Sequence, residues 1–600
     1  MHDVILRAMR TFLGFAVALS LAAPCLAQRA PAKSRPAPTA AQRAAQNLLR
    51  SLNLQDRVAQ LVIGVAYGDV PGAQSKDYEK FRRWVRDLHI GGIIVNNRVQ
   101  YGLVRNAEPH AVALFLNQMQ RLAKVPLIVG GDFERGASMR ISDTTRFPHS
   151  MAYGAAGSIE ESRYLGQATA REARAMGFHW LFTPDSDVNN NPDNPVINIR
   201  SYGENPEAVG RHVAAYIEGA RSDPKNPVLV TAKHFPGHGD TNVDSHLDLP
   251  RLEASRERMD QVELAPFRTA IEHKVDAVMT AHMTVPSVEP KDIPATVSAR
   301  VLTGLLREDL GFQGLVVTDA MDMAGLAKQF RSGEASVRAI EAGADVLLMP
   351  PDPAEAIRAV VAAVTRGRIS RQRIDQSALR VLEAKMRVGL NSKTKLVDLD
   401  AVSNSLELPE QAEHAQSVAD RAITLVRNEG NVLPLAAPDQ SCFVISSGIR
   451  ISSFGQRMAE EYRKRAPHAN IVFVDGGMSS PALDAIAGEL GTCPAIVFAT
   501  FTTNPTLNGN LAPFVEKLTE GPAPVAFVTL GNPYLLRNFP KAAAYVAAFS
   551  TVTPSEVSVI KALLGEIPIT GKLPVTIPDF AQYGEGIQLP AKTRSAPSVN

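Results

Sequence analysis

The residues best suited to chemistry are concentrated in one short stretch of the chain. Within fourteen positions it carries Lys233, His234, His238, Asp240, Asp244 and His246. Pro236, Gly237 and Gly239 interrupt any helix there and favour a shaped loop. The histidines and aspartates of such a loop could bind a divalent metal, although their spacing matches no compact ligand motif such as His-Glu-x-x-His.

Proton transfer is the second chemistry that this loop can support. Asp244 and His246 are two positions apart, so in a loop the carboxylate can accept the Nδ1 proton of the imidazole. That contact fixes the histidine tautomer and favours its charged form. A histidine that titrates near neutral pH can give and take a proton in turn, as acid/base catalysis requires. The sequence favours this interpretation, with a metal-dependent hydrolase as the alternative.

Other polar residues follow apolar runs elsewhere in the chain. Asp319 directly follows the run Leu-Val-Val-Thr, where a carboxylate is costly to bury unless it is paired or used. We therefore predict that Asp319 is a nucleophile and that Asp322 is structural, for example as a helix cap. Asp132 and His282 close the third and sixth runs, and Arg200 lies shortly after the fourth.

The elements that must position these residues form a regular pattern. Eight apolar runs alternate with amphipathic stretches, at residues 58–67, 91–97, 126–134, 179–188, 228–237, 276–283, 315–322 and 344–350. They are apolar on both faces, which is typical of parallel strands covered by helices. Eight such units predict a (β/α)8 TIM-type barrel over residues 47–395, with an open doubly wound sheet as the alternative. Polar groups after several strands would then meet at one face of the barrel.

A second α/β domain is predicted after a polar linker at residues 396–412. It covers residues 413–600, with a helix at 409–426 and strands at 442–447, 470–475, 495–501, 524–530 and 544–549. Cys442 and Cys493 each precede an apolar, strand-like run in this domain, so they could lie side by side. A disulfide and two buried thiols are both compatible with the sequence.

The N-terminus has the pattern of an export signal. Arg7 and Arg10 precede an apolar run that is too short for a comfortable membrane span, and Cys25-Leu26-Ala27 offers a cleavage site. We predict a signal peptide at 1–27, a disordered Pro/Ala-rich tether at 28–46, and a periplasmic or extracellular product without a stable membrane span. With 63 basic and 61 acidic residues, the chain has no basic excess that would indicate nucleic-acid binding.

These segments resemble glycoside hydrolase family 3, specifically its bacterial β-N-acetylglucosaminidase branch. The resemblance rests on residues 131–132, 194–203, 233–239, 244–246, 279–282 and 318–319, and continues through 417–428 and 571–578. It covers nearly the whole chain after the signal peptide. It implies a TIM-type barrel followed by a C-terminal α/β sandwich, and a retaining glycosidase that needs no cofactor or metal.

The resemblance also implies a role for individual residues. Asp319 would form a covalent glycosyl-enzyme, and His246, oriented by Asp244, would act as acid and then as base. The sugar-binding residues would be Asp132, Arg200, Lys233, His234 and His282. The substrate would be an oligosaccharide with a terminal N-acetylglucosamine, from the cell wall or from chitin.

Two departures from the family pattern affect the substrate more than the reaction. Residues 132–137 read Asp-Phe-Glu-Arg-Gly-Ala where Asp-x-Glu-Gly-Gly-Arg is common, and Thr318-Asp319-Ala320 replaces Ser-Asp-Asp. A β-glucosidase or xylosidase, an N-acetylglucosaminide phosphorylase and an inactive carbohydrate-binding protein are the remaining alternatives. Phosphorolysis is among these alternatives because a neutral imidazole repels phosphate less than a carboxylate would.

Overall fold

The computed structural model of the chain describes residues 38–68, 71–100, 103–448 and 452–592. The predicted signal peptide lies outside these ranges, as does the first half of the predicted tether. No helix in the described part combines the length and the apolar character that a membrane span requires.

The first domain is a closed barrel of eight parallel strands. Its strands, together with a β3–β4 hairpin, are β1 (Val62–Tyr67), β2 (Gly92–Asn96), β3 (Arg98–Gln100), β4 (Leu103–Arg105), β5 (Ile128–Gly131), β6 (Trp180–Leu181), β7 (Leu229–Phe235), β8 (Ala277–Thr280), β9 (Leu315–Val317) and β10 (Leu347–Leu348). The order around the barrel is β10-β1-β2-β5-β6-β7-β8-β9. A bridge between Val317 and Val346 joins the last strands, so the TIM-type prediction is confirmed over the open-sheet alternative.

Helices surround this barrel, and most of them cover the outer face of its strands, whereas Met151 and Ala152 of Ser150–Ala156 pack into an apolar cluster of the second domain. They are α1 (Ala40–Ser51), α2 (Leu54–Ala59), α3 (Lys76–Arg82), α4 (Pro109–Leu122), α5 (Ser150–Ala156), α6 (Ile159–Ala175), α7 (Pro206–Ala220), α8 (Arg256–Gln261), α9 (Ala265–Glu272), α10 (Ala324–Ala327), α11 (Ser332–Ala342), α12 (Pro353–Thr365) and α13 (Arg371–Arg387). A further helical segment, Arg300–Asp309, lies between β8 and β9. Because both faces of each strand are covered, the strands are largely apolar, as the sequence pattern predicted, and the charged Lys233 lies near the carboxyl end of β7.

Part of the predicted tether is helical. Thr39 and Gln42 form a capping box at the start of α1, which satisfies backbone donors that a helix leaves unpaired. Ala45 and Leu52 then bury their side chains against Val125 and Leu382. The disordered segment predicted to reach residue 46 is therefore wrong from residue 40 onward, because burial of one apolar stripe outweighs the polar composition.

The second domain is an α/β domain, as predicted, and its sheet has six strands with helices on both faces. Its elements are α14 (Pro409–Ala422), β11 (Thr424–Asn428), β12 (Cys442–Ser446), α15 (Gln456–Arg465), β13 (Asn470–Val474), α16 (Ser480–Leu490), β14 (Ile496–Thr500), α17 (Leu511–Glu520), β15 (Val525–Thr529), β16 (Ala544–Ala547) and α18 (Thr553–Leu564). The strand order is β11-β16-β15-β14-β12-β13. Separate apolar clusters fill the two sides of this sheet.

The structure corrects one prediction for this domain and settles another question that the sequence left open. The helix predicted to reach residue 426 ends at Ala422, and the β-branched and apolar residues that follow form β11, antiparallel to β16. Cys442 and Cys493 form a disulfide, with their Cα atoms 5.9 Å apart. Of the two possibilities that the sequence left open, the structure contains the bridge.

Candidate active site

A cavity of about 460 Å³ opens at the carboxyl ends of the barrel strands. The polar side chains that line it are Asn96, Asp132, Glu134, Arg140, Arg200, Lys233, His234, His238, Ser245, His246, Asp319 and Asp322. Six of the eight residues predicted for the site line this cavity. The other two contact residues that line it, Asp244 through His246 and His282 through the Ala320 carbonyl. This face is where barrel enzymes carry their active sites.

Lys233 is the centre of a buried ion cluster on one wall. Its Nζ atom lies 2.7 Å from Glu134 Oε1, 3.1 Å from Asp132 Oδ1 and 3.8 Å from Asp185 Oδ1. The Lys233 side chain is only 2% exposed. Burial alone would lower its pKa, but the surrounding carboxylates hold it above its usual value. The lysine therefore stays charged and fixes Asp132 at the cavity surface.

Arg200 completes this cluster through a forked contact. Its Nε and Nη2 atoms each donate a hydrogen bond of 2.9 Å to Glu134, and Nη1 donates to the Val196 carbonyl. Burial alone would raise the pKa of Glu134, but the Arg200 and Lys233 charges hold it well below its usual range. Glu134 is therefore a charged anchor for both cations, a role that the site prediction did not give it.

Asp185 and Arg140 are two further members of the cluster that the site prediction did not include. Asp185 is buried, and its carboxylate lies 3.2 Å from Arg200 Nε. Burial raises its pKa to about 7. Arg140 donates to Asn97 Oδ1 at 2.7 Å and contacts Asp132 Oδ2 at 3.4 Å. Arg140 lies just after the segment that departs from the family pattern, so the altered sequence still supplies a cation to Asp132.

Asp319 projects from the end of β9 on the opposite wall. The backbone N–H of Ala320 donates to its Oδ1 atom at 2.8 Å. Burial acts to raise the pKa of Asp319, but His234 and His282 outweigh this effect and lower it. An ionised carboxylate at a strand end, facing a cavity, is what a nucleophile requires.

Two histidines lower the pKa of this carboxylate. His234 Nδ1 lies 2.8 Å from Asp187 Oδ2, and although burial lowers the pKa of His234, Asp187 raises it overall. His282 uses both ring nitrogens, one with the Ala320 carbonyl at 2.9 Å and one with the Thr296 hydroxyl at 2.7 Å. The structure thus places His282 behind the Asp319 loop instead of among the residues that line the cavity.

Asp244 and His246 form a close pair at the cavity entrance. His246 Nδ1 lies 2.7 Å from Asp244 Oδ1, and the His246 backbone N–H donates to the same oxygen at 2.8 Å. The His246 side chain is 58% exposed, so its Nε2 atom is free to meet a substrate. This is the contact that the two-residue spacing predicted.

Asp322 also lines the cavity, three residues beyond Asp319. The sequence suggested a helix cap, but α10 begins at Ala324, after Met323, without a side-chain cap. The Asp322 carboxylate instead contacts the Tyr67 hydroxyl. Burial and the neighbouring Asp319 charge raise the pKa of Asp322.

The residues of the metal alternative do not converge on one point. His234 pairs with Asp187, His238 contacts the Thr241 hydroxyl, and Asp240 pairs with Arg258. Within the described ranges, the one group close enough to hold an ion is Asp185, Asp187 and His234. Asp187 already accepts hydrogen bonds from three N–H groups, and Lys233 and Arg200 neutralise Asp185. This donor set fits protons and cationic side chains better than it fits a metal.

Comparison with known proteins agrees with this geometry. Residues 53–384 match the N-terminal domain of glycosyl hydrolase family 3. A β-N-acetylglucosaminidase/β-glucosidase of Cellulomonas fimi is 28% identical over 88% of this chain and 94% of its own length. The β-hexosaminidase A of Pseudoalteromonas piscicida is 31% identical over 64% of this chain and 69% of its own.

A solved structure gives the same result at the level of the fold. The family 3 β-N-acetylglucosaminidase of Paenibacillus sp. strain FPU-7 superimposes with a TM-score of 0.78 and 33% identity. The match covers 88% of this chain and 99% of that one, so it includes both domains. The family match, the two-domain fold and the polar cavity at the strand ends together show that the chain belongs to glycosyl hydrolase family 3 and is a glycosidase.

Proposed function

We propose that the protein is a retaining β-N-acetylglucosaminidase that removes terminal N-acetylglucosamine from cell-wall or chitin-derived oligosaccharides. One observation carries the proposal: an ionised Asp319 and an Asp244-paired His246 line the same cavity. The names of the similar proteins from Cellulomonas fimi and Paenibacillus support the choice of sugar.

The proposed reaction has two steps that balance. A carboxylate oxygen of Asp319 attacks the anomeric carbon, the glycosidic C–O bond breaks, and the leaving oxygen takes a proton from His246 Nε2. Water then attacks the same carbon, His246 takes back a proton, and the bond to Asp319 breaks. Two inversions give net retention.

Asp132 is the proposed acceptor for the sugar hydroxyls. Lys233 Nζ forms close ion pairs with Glu134 and Asp132, and Arg200 donates to Glu134 through two nitrogens and to the Val196 carbonyl through the third. These cations therefore hold the acceptor in place more than they bind the sugar directly. Asp132 is 19% exposed, so its oxygens keep lone pairs for hydroxyl donors.

Water is the proposed acceptor in the second step. The arginines and the lysine that line the described cavity, Arg140, Arg200 and Lys233, each contact a carboxylate. A phosphate ion would need a cation that is free to bind it, and it would meet Asp319 and Asp322 as repelling charges. This charge distribution favours hydrolysis over phosphorolysis.

We also propose that the protein is exported to a periplasm or to the medium. The N-terminal pattern of basic residues, apolar run and small-residue cleavage site supports this location. The Cys442–Cys493 disulfide is a feature of proteins in oxidising compartments. Cell fractionation of a host producing the full chain, compared with one producing residues 28–600, tests the signal.

Paired kinetics test the activity. We expect turnover of 4-nitrophenyl β-N-acetylglucosaminide to exceed that of the β-glucoside, with N-acetylglucosamine as product whether or not phosphate is present. The Cellulomonas fimi relative is named for both N-acetylglucosaminidase and glucosidase activity, so weaker turnover of the glucoside would be compatible with the proposal. A sugar 1-phosphate product, loss of activity with a chelator, or full activity in Asp319→Ala would each contradict the proposal.

A further inference from the structure

The cavity has a second wall, next to the nucleophile, that the reaction above does not use. Asp322, Met323, Leu348 and Met349 line it. The Val317–Val346 bridge places β9 beside β10, whereas β5, which precedes Asp132, is on the far side of the ring. A sugar held between Asp319 and Asp132 therefore crosses the cavity with its anomeric end against this second wall.

Asp322 is an acceptor without a cationic partner. Its carboxylate contacts the Tyr67 hydroxyl, and no lysine or arginine of the described chain forms an ion pair with it. The side chain is open to the cavity. Its own backbone N–H is a second donor. Two donors still leave lone pairs on the carboxylate, so Asp322 can accept a further hydrogen bond from a ligand.

An apolar surface lies beside this carboxylate. Met323, Leu348 and Met349 are largely buried, yet each contributes to the cavity wall. Met349 has a φ of 50°, a left-handed conformation that residues other than glycine rarely adopt. Such conformations persist where the surrounding structure imposes them, and they cluster at ligand sites. Here the conformation helps to keep an unbranched apolar side chain at the cavity surface.

The chemistry of the substrate explains why these groups belong together. Carbon 2 is bonded to the anomeric carbon that Asp319 attacks, so its substituent lies next to the nucleophile. An acetamido substituent offers an N–H donor and a methyl group. Asp322 supplies an acceptor and the methionines supply an apolar contact on the wall where both are required.

We propose that Asp322 recognises the 2-acetamido group of the substrate, accepting its N–H, while Met323 and Met349 contact its methyl. The proposal rests on the proposed N-acetylglucosaminidase activity. It gives Asp322 a specificity role, distinct from the proton transfer assigned to His246.

Substrates with and without the amide test this role. The kcat/KM of Asp322→Ala should fall about 10- to 100-fold for 4-nitrophenyl β-N-acetylglucosaminide, the range of a lost hydrogen bond to a charged acceptor. For the 2-deoxy-β-glucoside, which has no donor at carbon 2, it should change much less. Asp322→Asn should recover part of the loss, because its amide oxygen still accepts a hydrogen bond. Asp292→Ala, which removes an exposed carboxylate paired with Arg251, is the control for charge and should behave as the wild type.

The remaining outcomes of this experiment distinguish failure of the Asp322 proposal from failure of the proposed function. Equal losses on both substrates, with Asp322→Asn as poor as Asp322→Ala, would overturn the proposal and make Asp322 a proton donor or a structural group. No loss on either substrate would also overturn it. Failure of the wild type to cleave the N-acetylglucosaminide would instead contradict the proposed function.

Discussion

At the scale of single residues, the charged groups that hold the site in shape are different from those proposed to react. Glu134 and Lys233 neutralise each other in a buried cluster, whereas Asp319 and His246 face the cavity. The sequence indicated Asp132, Lys233 and Asp319 because each ends or follows an apolar strand. It did not indicate Asp185 or Asp187 as support, because only the fold shows that one meets Arg200 and the other His234.

The first prediction concerns the Asp244–His246 pair. His246→Ala should lower kcat by about 100-fold or more for a disaccharide, whose leaving group needs a proton, and much less for a 4-nitrophenyl substrate. Asp244→Asn should show the same dependence on the leaving group with a smaller loss, because it removes the charge and the tautomer control beside His246 but keeps the imidazole. Steady-state kinetics on both substrates measure the ratio. Equal losses on both would show that the pair does not transfer the proton.

At the scale of elements, the sequence predicted correctly those elements whose burial shows in their own residue pattern. The barrel strands were predictable because they are apolar on both faces, and this signal survives without any partner. Helix α1 was missed because its Ala, Gln and Arg composition resembles the segment before it, although the Thr39–Gln42 capping box was a local signal. Strand β11 was missed because its identity depends on pairing with β16, distant in sequence.

The second prediction concerns a lysine that is buried where α13 packs on α2. Lys385 of α13 is fully buried, with Gln60 Oε1 as a hydrogen-bond acceptor at 2.6 Å. Burial lowers its pKa from 10.5 to about 7. The unfolded chain therefore binds more protons between pH 7 and 10, so this residue makes stability rise with pH across that window.

Comparing the wild type with Lys385→Met isolates this contribution, because methionine does not titrate. The free energy of unfolding of the variant minus that of the wild type should grow as pH falls from 10 to 7, by up to about 4 kcal/mol, and then level off. Urea unfolding of both proteins across this range provides the measurement. A difference that is constant with pH would show that Lys385 keeps its ordinary pKa when folded.

At the scale of the whole molecule, the second domain supports the loop that carries Arg200. Tyr534 accepts a hydrogen bond of 2.9 Å from Asn189, whose side-chain oxygen in turn accepts from the Asn198 backbone. Glu204 accepts hydrogen bonds from the backbone and hydroxyl of Thr576 at 2.7 and 2.6 Å. The residues that line the described cavity all belong to the barrel, so the second domain reaches the site only indirectly, and this loop is one such connection.

The third prediction concerns the removal of the contact between Glu204 and the second domain. Glu204→Ala should lower kcat/KM by about 10- to 100-fold, because a small displacement of Arg200 misplaces Glu134 and Asp132. Glu207→Ala is the matched control, since Glu207 is close in sequence but 82% exposed and pairs only with Arg211. Steady-state kinetics and melting curves of both variants separate loss of alignment from loss of stability. Equal activity in the two variants would show that the barrel aligns the loop alone.

The covalent intermediate on Asp319 is the central claim, and trapping it is the most direct test. The enzyme would be treated with 5-fluoro-N-acetylglucosaminyl fluoride, digested, and its peptides fragmented in a mass spectrometer. We predict one added sugar, located on Asp319 and absent from Asp319→Asn. Stoichiometric labelling of Asp322 or of another carboxylate, or rapid turnover with inversion at the anomeric carbon, would contradict the account.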